Sequence, residues 1–377
     1  MVYLDYAANT PTNKEVLDLY YDTTIKYYAN PNSSHALGRQ SKELLDNCTK
    51  RIAKNLNVLP EEIIYTSGAT ESNNLAIKGI CERYKNYGKH IILGSLEHNS
   101  IVASATAMQE LGFEVDILPI SKDGLVETQT LKKLLRSDTI LVSICSVDSE
   151  LGIVQKIEDI ASILKEYPNT YFHTDASQSI GKVNIDFSNV DLITISPHKF
   201  YGLGGTSILI KKKHVSLKPM INGGKSTTIY RSGTPILSDI VALDKALEIA
   251  ILNQKQRYDY VLNLNKMIIE YISQYKKVHI NSTSNSLPFI VNFSLEGIKS
   301  LEFAELLEEK EIYVSTKTSC CPIETPSKLV YALTKDKSLA STSIRLSLSH
   351  LTTKEELDEF FKAFDECYRK LEKNGKV

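Results

Sequence analysis

A regular alternation of short apolar segments and helical patterns across residues 62–213 constrains the fold most. The strand patterns lie at 63–66, 90–94, 113–120, 139–147, 171–174, 191–196 and 206–211. Helical patterns lie between them, for example at 99–112 and 157–167. Near-continuous apolar strands separated by helices are typical of a mostly parallel sheet with helices on both faces. The sequence therefore predicts an α/β protein with a wide sheet.

The pattern changes after about residue 235. Two long helical patterns at 236–252 and 258–274 are followed by a strand-helix-strand pattern within 287–316. In the last helical pattern, Thr353 is followed three residues later by Glu356, which is a capping-box signature. We predict a large domain at 13–250 and a smaller α+β domain formed by 1–12 and 251–377.

Charge and hydropathy exclude several classes of protein. The 377 residues include 44 Lys+Arg and 45 Asp+Glu, so the formal net charge is −1. Nucleic-acid binding needs a concentrated positive surface, which this balance does not favour. The apolar segments are shorter than the roughly 18 residues that a membrane helix needs. The sequence begins with a strand pattern and no targeting signal, so we expect a cytoplasmic protein without a membrane or nucleic-acid partner.

Six cysteines are scattered along the chain, at Cys48, Cys81, Cys145, Cys320, Cys321 and Cys367. No Cys-x-x-Cys pair occurs, so we expect no zinc or other metal site. Four of the six lie in apolar or helical patterns, where cysteine is usually a small buried hydrophobe. Cys320 and Cys321 instead lie between a Ser/Thr-rich and a Pro-containing segment. These two thiols are therefore predicted on a loop that solvent or a partner can reach.

Polar residues follow several of the predicted strands, where ligands of α/β sheets bind. The SGAT segment at 67–70 combines a strand exit, a glycine turn and a helix start, which favours anion binding. It fits a simple turn and helix cap about equally well. Asp175 and Lys199 also follow strands, and His98 precedes a helical pattern. Taken singly, these three residues are equally typical of caps or solvated side chains.

Taken together, these groups suit a pyridine aldehyde phosphate. A lysine amine can bind the aldehyde covalently, and a carboxylate can keep the pyridine nitrogen protonated. A helix N-terminus can bind the phosphate, and a histidine ring can stack on the pyridine. The set therefore predicts pyridoxal 5'-phosphate as the cofactor.

A longer series of motifs carries a family resemblance. They are YLDYAANTP at 3–11, NPNSSH at 30–35, TSGATESNN at 66–74, EH at 97–98, DASQ at 175–178, SPHK at 196–199, RSGT at 231–234 and SIRLS at 343–347. In this order they resemble cysteine desulfurases of the class V aminotransferase family, specifically the NifS and IscS type with a long mobile cysteine loop. The resemblance implies the fold type I architecture of transferases that use pyridoxal 5'-phosphate, with a sheet of about seven strands. It also implies a homodimer.

The resemblance implies a role for each matching position. The cofactor-binding positions are Ala69, Thr70, His98, Ser149, Asp175, Gln178, Ser196, His198, Lys199 and Thr234. Among them, Lys199 holds the aldehyde, Asp175 the ring nitrogen and Gln178 the ring phenolate oxygen. His98 stacks on the ring and takes part in proton transfer. Thr234 matches a phosphate contact made in the other subunit.

Arg345 matches the residue that binds the substrate carboxylate, for which a guanidinium fork is suited. Cys320 aligns with the nucleophile, on a mobile loop at about 315–330. The adjacent Cys321 is interpreted as a bystander, although it could also accept sulfur or substitute for Cys320. The catalytic set implied is Lys199, Cys320 and His98.

The segment DSELG at 148–152 departs from the family pattern, which has two asparagines before the glutamate. Ser149 stands where the second asparagine binds the cofactor ring oxygen and the substrate carboxylate. Serine is shorter than asparagine. If Asp148 turned into the site, its charge would oppose a carboxylate substrate and the ring phenolate.

The reaction implied is conversion of L-cysteine to L-alanine, with a persulfide formed on Cys320. The sulfur would pass to an acceptor protein for iron–sulfur cluster assembly or tRNA thiolation. One alternative is a related lyase acting on selenocysteine, or an aminotransferase, for which Cys320 is dispensable. Another is a dimeric sulfur-relay or scaffold protein that binds cofactor with little turnover.

Overall fold

The computed structural model describes residues 1–316 and 325–373. The chain begins with a short strand and two helices: β1 (Val2–Tyr3), α1 (Lys14–Lys26) and α2 (Ala36–Asn55). Asn13 and His35 begin the two helices, because each side chain accepts a hydrogen bond from a first-turn amide.

The next part of the chain forms the central sheet and its crossover helices. The elements are β2 (Ile63–Thr66), α3 (Ala69–Tyr84), β3 (His90–Gly94), α4 (Asn99–Gln109), β4 (Glu114–Leu118), α5 (Thr128–Leu134), β5 (Thr139–Ser143), α6 (Ile157–Leu164), β6 (Tyr171–Asp175), β7 (Leu192–Ile195) and β8 (Ser207–Lys211). Within the described residues the sheet has seven strands in the order β2-β8-β7-β6-β5-β3-β4. Only β8 runs antiparallel to its neighbours there. The predicted mostly parallel sheet is confirmed.

Helices cover both faces of this sheet. One apolar cluster joins it to α3 and α4 through residues such as Leu75 and Ile101. The other contains residues of α2 and α6, such as Ile52 and Ile160. Strands buried on both faces explain the near-continuous apolar segments of the sequence.

The remaining elements are α7 (Leu237–Leu252), α8 (Gln254–Ile272), β9 (Val278–Ile280), β10 (Ile290–Leu295), α9 (Ser300–Glu308), β11 (Ile312–Tyr313), α10 (Lys328–Thr334), α11 (Lys337–Ser341), β12 (Ser343–Ser347) and α12 (Lys354–Lys373). Strand β10 pairs antiparallel with β9 and β12. Strand β1 pairs with β11, and Val2 and Leu4 join the apolar cluster of this region. The boundaries of the two proposed domains stay a prediction.

Some elements differ from the sequence patterns. Strand β5 ends at Ser143, although the amides of Ile144 and Ser146 still donate to the β6 chain over 3.0 Å. The capping box is present, since Thr353 and Glu356 exchange hydrogen bonds at the start of α12. Helices α1, α2, α5, α10 and α11 and strands β9 and β12 were not predicted. No helix in 1–316 or 325–373 is long and apolar enough to cross a membrane.

Candidate active site

A cavity of about 460 Å³ lies at the carboxyl ends of the central strands. The predicted site residues that line it are Ala69, Thr70, His98, Ser149, Asp175, Gln178, His198, Lys199 and Arg345. The other lining residues include Ala7, Ala8, Cys145 and Ser177. The cavity therefore brings together residues from most of the motifs in the sequence.

The start of α3 forms one wall of the cavity. Gly68 precedes the helix, and the amide of Ser72 is bonded to its carbonyl oxygen over 3.1 Å. The first amides of a helix have no acceptor within the helix and can bind an anion. A Cβ built at Gly68 would meet no atom within 4 Å, so the backbone faces open space. A phosphate group has room to approach here.

Asp175 ends β6, is buried and lines the cavity. Its two carboxylate oxygens accept hydrogen bonds from Asn73 Nδ2 over 2.8 Å and from the Ser177 amide over 2.9 Å. The same Asn73 nitrogen donates to Ser100 Oγ over 2.9 Å. These donors hold the carboxylate in one orientation.

Lys199 ends the single helical turn Pro197–Lys199 after β7. Its Nζ donates to the carbonyl oxygens of Ala7 over 2.8 Å and Ala8 over 2.6 Å. Two carbonyl acceptors from the N-terminal segment therefore orient this amine.

Two histidine rings near Lys199 are neutral at pH 7. Burial, together with the charges of Lys199 and Lys182, lowers the pKa of His198 to about 4. Burial also lowers the pKa of His98, whose Nδ1 accepts the Ser100 amide over 3.2 Å. A ring that accepts at Nδ1 carries its proton on Nε2. His98 therefore offers the cavity a flat, uncharged ring.

Arg345 lies on β12 and is 1% exposed. It forms an ion pair with Asp5, and its Nη1 donates to the carbonyl oxygen of Ser149 over 2.7 Å. Its buried Nε has no partner among the described residues. The guanidinium is thus fixed between the N-terminal segment and the loop after β5, beside the cavity.

The Asp148 carboxylate is bonded to the backbone of its own loop. It accepts hydrogen bonds from the amides of Glu150 and Ile153 over 2.8 Å and of Leu151 over 2.7 Å. Burial raises its pKa to about 6, and these three bonds act in the opposite direction. The carboxylate therefore stabilises the loop in which the Ser149 carbonyl oxygen accepts a hydrogen bond from Arg345.

We expect Asp148→Ala to lower the free energy of unfolding by at least about 3 kcal/mol, because three buried amides lose their acceptor. Asp148→Asn is the matched variant, since it keeps one acceptor oxygen. Denaturant unfolding of the full chain measures both. The native folded-state pKa lies above the ordinary 3.8. Native stability relative to Asp148→Asn should therefore fall from about pH 4 to about pH 6. Equal stability of all three proteins would contradict this role.

Two predicted site residues do not line the cavity. Ser196 is buried beside it, with its Oγ 2.9 Å from His198 Nδ1. Thr234 is exposed in the segment before α7. Cys320 and Cys321 lie outside the described residues.

Several residues at the site received no role from the sequence. Asn73, Asp5 and Ala7 lie within matching motifs, but their contacts depend on residues far away in the chain. Cys145 lines the cavity, and burial raises the pKa of its thiol well above the ordinary value. The apolar strand pattern around Cys145 does indicate burial.

Comparisons with known proteins agree over nearly the whole chain. The family model described as "Aminotransferase class-V" matches residues 2–360. A "NifS/IcsS protein homolog" of Lactobacillus delbrueckii subsp. bulgaricus is 39% identical, with 99% of this chain and 98% of the relative covered. "Cysteine desulfurase IscS" of Dictyoglomus turgidum is 37% identical, with 98% and 95% covered.

Solved structures give the same result. A "NIFS-LIKE PROTEIN" superposes with a TM-score of 0.92 at 32% identity, covering 98% of this chain and 99% of the other. A structure described as "SspA in complex with cysteine" has a TM-score of 0.82 at 30% identity, covering 92% and 99%. The chain belongs to the class-V aminotransferase family, in which its relatives carry NifS and cysteine desulfurase names.

Proposed function

We propose that the protein is a cysteine desulfurase that uses pyridoxal 5'-phosphate to convert L-cysteine to L-alanine. One observation carries the proposal: a single cavity combines the Lys199 amine, the Asp175 carboxylate, the start of α3 and the Arg345 guanidinium. The cysteine desulfurase names of relatives at 35–37% identity support it.

The donor set of the cavity fits this cofactor. The first turn of α3 with Ala69 and Thr70, together with Ser196 and His198, would hold the phosphate. Asp175 would hold the ring nitrogen, Gln178 the ring oxygen and His98 the ring face. The buried Ser177 Oγ has no partner among the described residues, so a polar ligand group can bind it. When bound, the cofactor supplies an aldehyde for amines and a ring that accepts electrons from the adjacent carbon.

Arg345 and Ser149 would bind the substrate carboxylate. The guanidinium has donors beyond the two engaged by Asp5 and Ser149. The planar guanidinium matches the planar geometry of a carboxylate, and its contacts with Asp5 and Ser149 fix its orientation. The Asp148 carboxylate accepts hydrogen bonds from three backbone amides of its own loop, so it does not turn toward the substrate carboxylate.

Lys199 would move the proton at the substrate Cα. Its amine is oriented by two carbonyl groups and can take up a proton once it is neutral. His98 would support the transfer with its uncharged ring, whose pKa is lowered by burial.

Cys320 would be the nucleophile. Its thiolate forms an S–S bond to the substrate sulfur while the substrate Cβ–S bond breaks, and Cβ takes up a proton. The sulfur is oxidised to a persulfide and the carbon is reduced to the alanine methyl group. A thiolate is required for this attack. The cysteines within the described residues are buried, and their thiol pKa values are raised. This favours Cys320 over them as the nucleophile.

We further propose a homodimer, with Thr234 reaching the phosphate of the other subunit. Thr234 is exposed, and its neighbourhood carries exposed apolar side chains at Met220, Ile221, Ile229 and Ile236. A second copy would bury these residues and bring Thr234 to its cavity.

The sulfur acceptor that we propose is an iron–sulfur scaffold or a tRNA-thiolation protein in the cytoplasm. The large domain at 13–250, the smaller domain of 1–12 and 251–377 and the mobile loop at about 315–330 are part of the same proposal. A loop of this length would let the thiol visit both substrate and acceptor.

The direct test supplies L-cysteine and a thiol reductant to the cofactor-loaded protein. We expect alanine and reducible sulfur in equal amounts. Pyruvate and ammonia in place of alanine would indicate β-elimination instead of desulfuration. Cofactor binding with no product, even when acceptor proteins are added, would favour the sulfur-relay or scaffold alternative.

A further inference from the structure

A buried lysine outside the cavity lining contacts one of the proposed cofactor ligands. Lys182 is 7% exposed, and its Nζ donates to Gln178 Oε1 over 2.7 Å. The two residues are four positions apart in the turn after β6. Gly181, next to Lys182, has a φ of 73°, and a Cβ there would lie 2.7 Å from the Ala250 Cβ. Packing therefore fixes the turn that holds Lys182 against Gln178.

The contacts determine which way the Gln178 amide points. An ammonium group can only donate, so it requires the amide oxygen to face Lys182. The amide nitrogen lies on the other side, where Nε2 donates to the Ala7 carbonyl oxygen over 2.9 Å. The same carbonyl accepts the Lys199 amine. One hydrogen of Nε2 remains for a ligand in the cavity that Gln178 lines.

We propose that Lys182 is a positioning residue that acts through Gln178, keeping the amide nitrogen directed at the phenolate oxygen of bound pyridoxal 5'-phosphate. The inference rests on the proposed function. A flipped amide would present its oxygen to the negatively charged ring oxygen and weaken binding. Lys182 itself does not contact the ligand.

The surroundings of Lys182 make its charge sensitive to pH. Burial, together with the charges of Lys199 and Arg345, lowers its pKa to about 7. Its Nζ also lies 6.0 Å from the centre of the Phe289 ring. A neutral amine can accept as well as donate, so loss of the proton removes the preference for one amide orientation.

The test titrates pyridoxal 5'-phosphate into the full chain prepared without cofactor, from pH 6 to pH 8.5. Three proteins are compared: native, Lys182→Met and Lys182→Arg. Arginine keeps its charge throughout this range. Methionine keeps most of the length of the lysine side chain but has no hydrogen-bond donor.

We expect Lys182→Met to raise the dissociation constant about 10-fold at pH 6, since a hydrogen bond from a charged group is lost. The ratio of native to Lys182→Arg dissociation constants should rise as the pH passes through 7. The Lys182→Met to Lys182→Arg ratio should stay high throughout. The cofactor and Lys199 titrate in all three proteins, so their effect on the dissociation constant cancels in these ratios.

A double-mutant cycle with Gln178→Met separates positioning from a general loss of structure. Because Lys182 acts through Gln178, adding Lys182→Met to Gln178→Met should change the dissociation constant less than twofold. Native affinity and pH dependence in Lys182→Met would overturn the inference, as would additive effects. A native protein that binds no cofactor would overturn the proposed function itself, which is a different result.

Discussion

Lys199→Ala is expected to lower alanine formation from L-cysteine by at least roughly 10³-fold, since one substitution removes both the proposed cofactor amine and the proton carrier. Lys199 is the lysine among the described residues that line the cavity. The nearby Lys182 Nζ is engaged by Gln178 and cannot easily replace it. Visible absorbance of the bound cofactor should change in the same variant.

Borohydride reduction followed by peptide mass mapping gives a second readout. In the native protein it should label Lys199, and in Lys199→Ala no lysine should be labelled. Lys213→Ala is the matched control, because that side chain is 75% exposed. Native activity in Lys199→Ala, or labelling of another lysine in the native protein, would refute the assignment.

Cys320→Ala is expected to abolish alanine formation while cofactor binding stays native, because the substrate sulfur loses its acceptor. Burial raises the thiol pKa of Cys48 and Cys81 to about 12 and of Cys367 to about 11. Cys145 borders the cavity, but its pKa is also raised by burial. Within the described residues these thiols would remain protonated at neutral pH and be poor nucleophiles.

Cys321→Ala is the matched control, since it removes a thiol one position away. We expect it to keep alanine formation and to carry persulfide on Cys320, detectable by mass spectrometry after alkylation. Undiminished alanine from Cys320→Ala would point to Cys321 or to a lyase mechanism. Loss of alanine from both variants would indicate that the two thiols act together.

The central sheet was predictable because most of its strands are buried on both faces and rich in apolar residues. The edge strand β4 is an exception, with Glu114 and Ile117 exposed. Strand direction was less accessible: the segment Ile208 to Ile210 is as apolar as its parallel neighbours, yet β8 runs antiparallel to them. Helix α1 was missed, since only Val16 and Thr23 of it are buried and its sequence carries a weak apolar pattern.

The site residues that stand in recognisable motifs were predictable. The contacts between residues from separate parts of the chain were not. Lys199, Asp175 and Arg345 stand in motifs, and the structure brings them to one cavity. Their assigned roles stay predictions. The hydrogen bonds from Asn73 to Asp175 and from Lys182 to Gln178 form only once the chain has folded. No local sequence pattern specifies them.

The pairing of Asp5 with Arg345 joins positions that are 340 residues apart. The Ala7 amide likewise donates to Ser347 Oγ over 2.9 Å. During synthesis, the N-terminal segment therefore cannot form these contacts until β12 has left the ribosome. A shortened chain could fold much of the central sheet and still lack the site for a carboxylate. Substrate binding would thus distinguish finished molecules from incomplete ones.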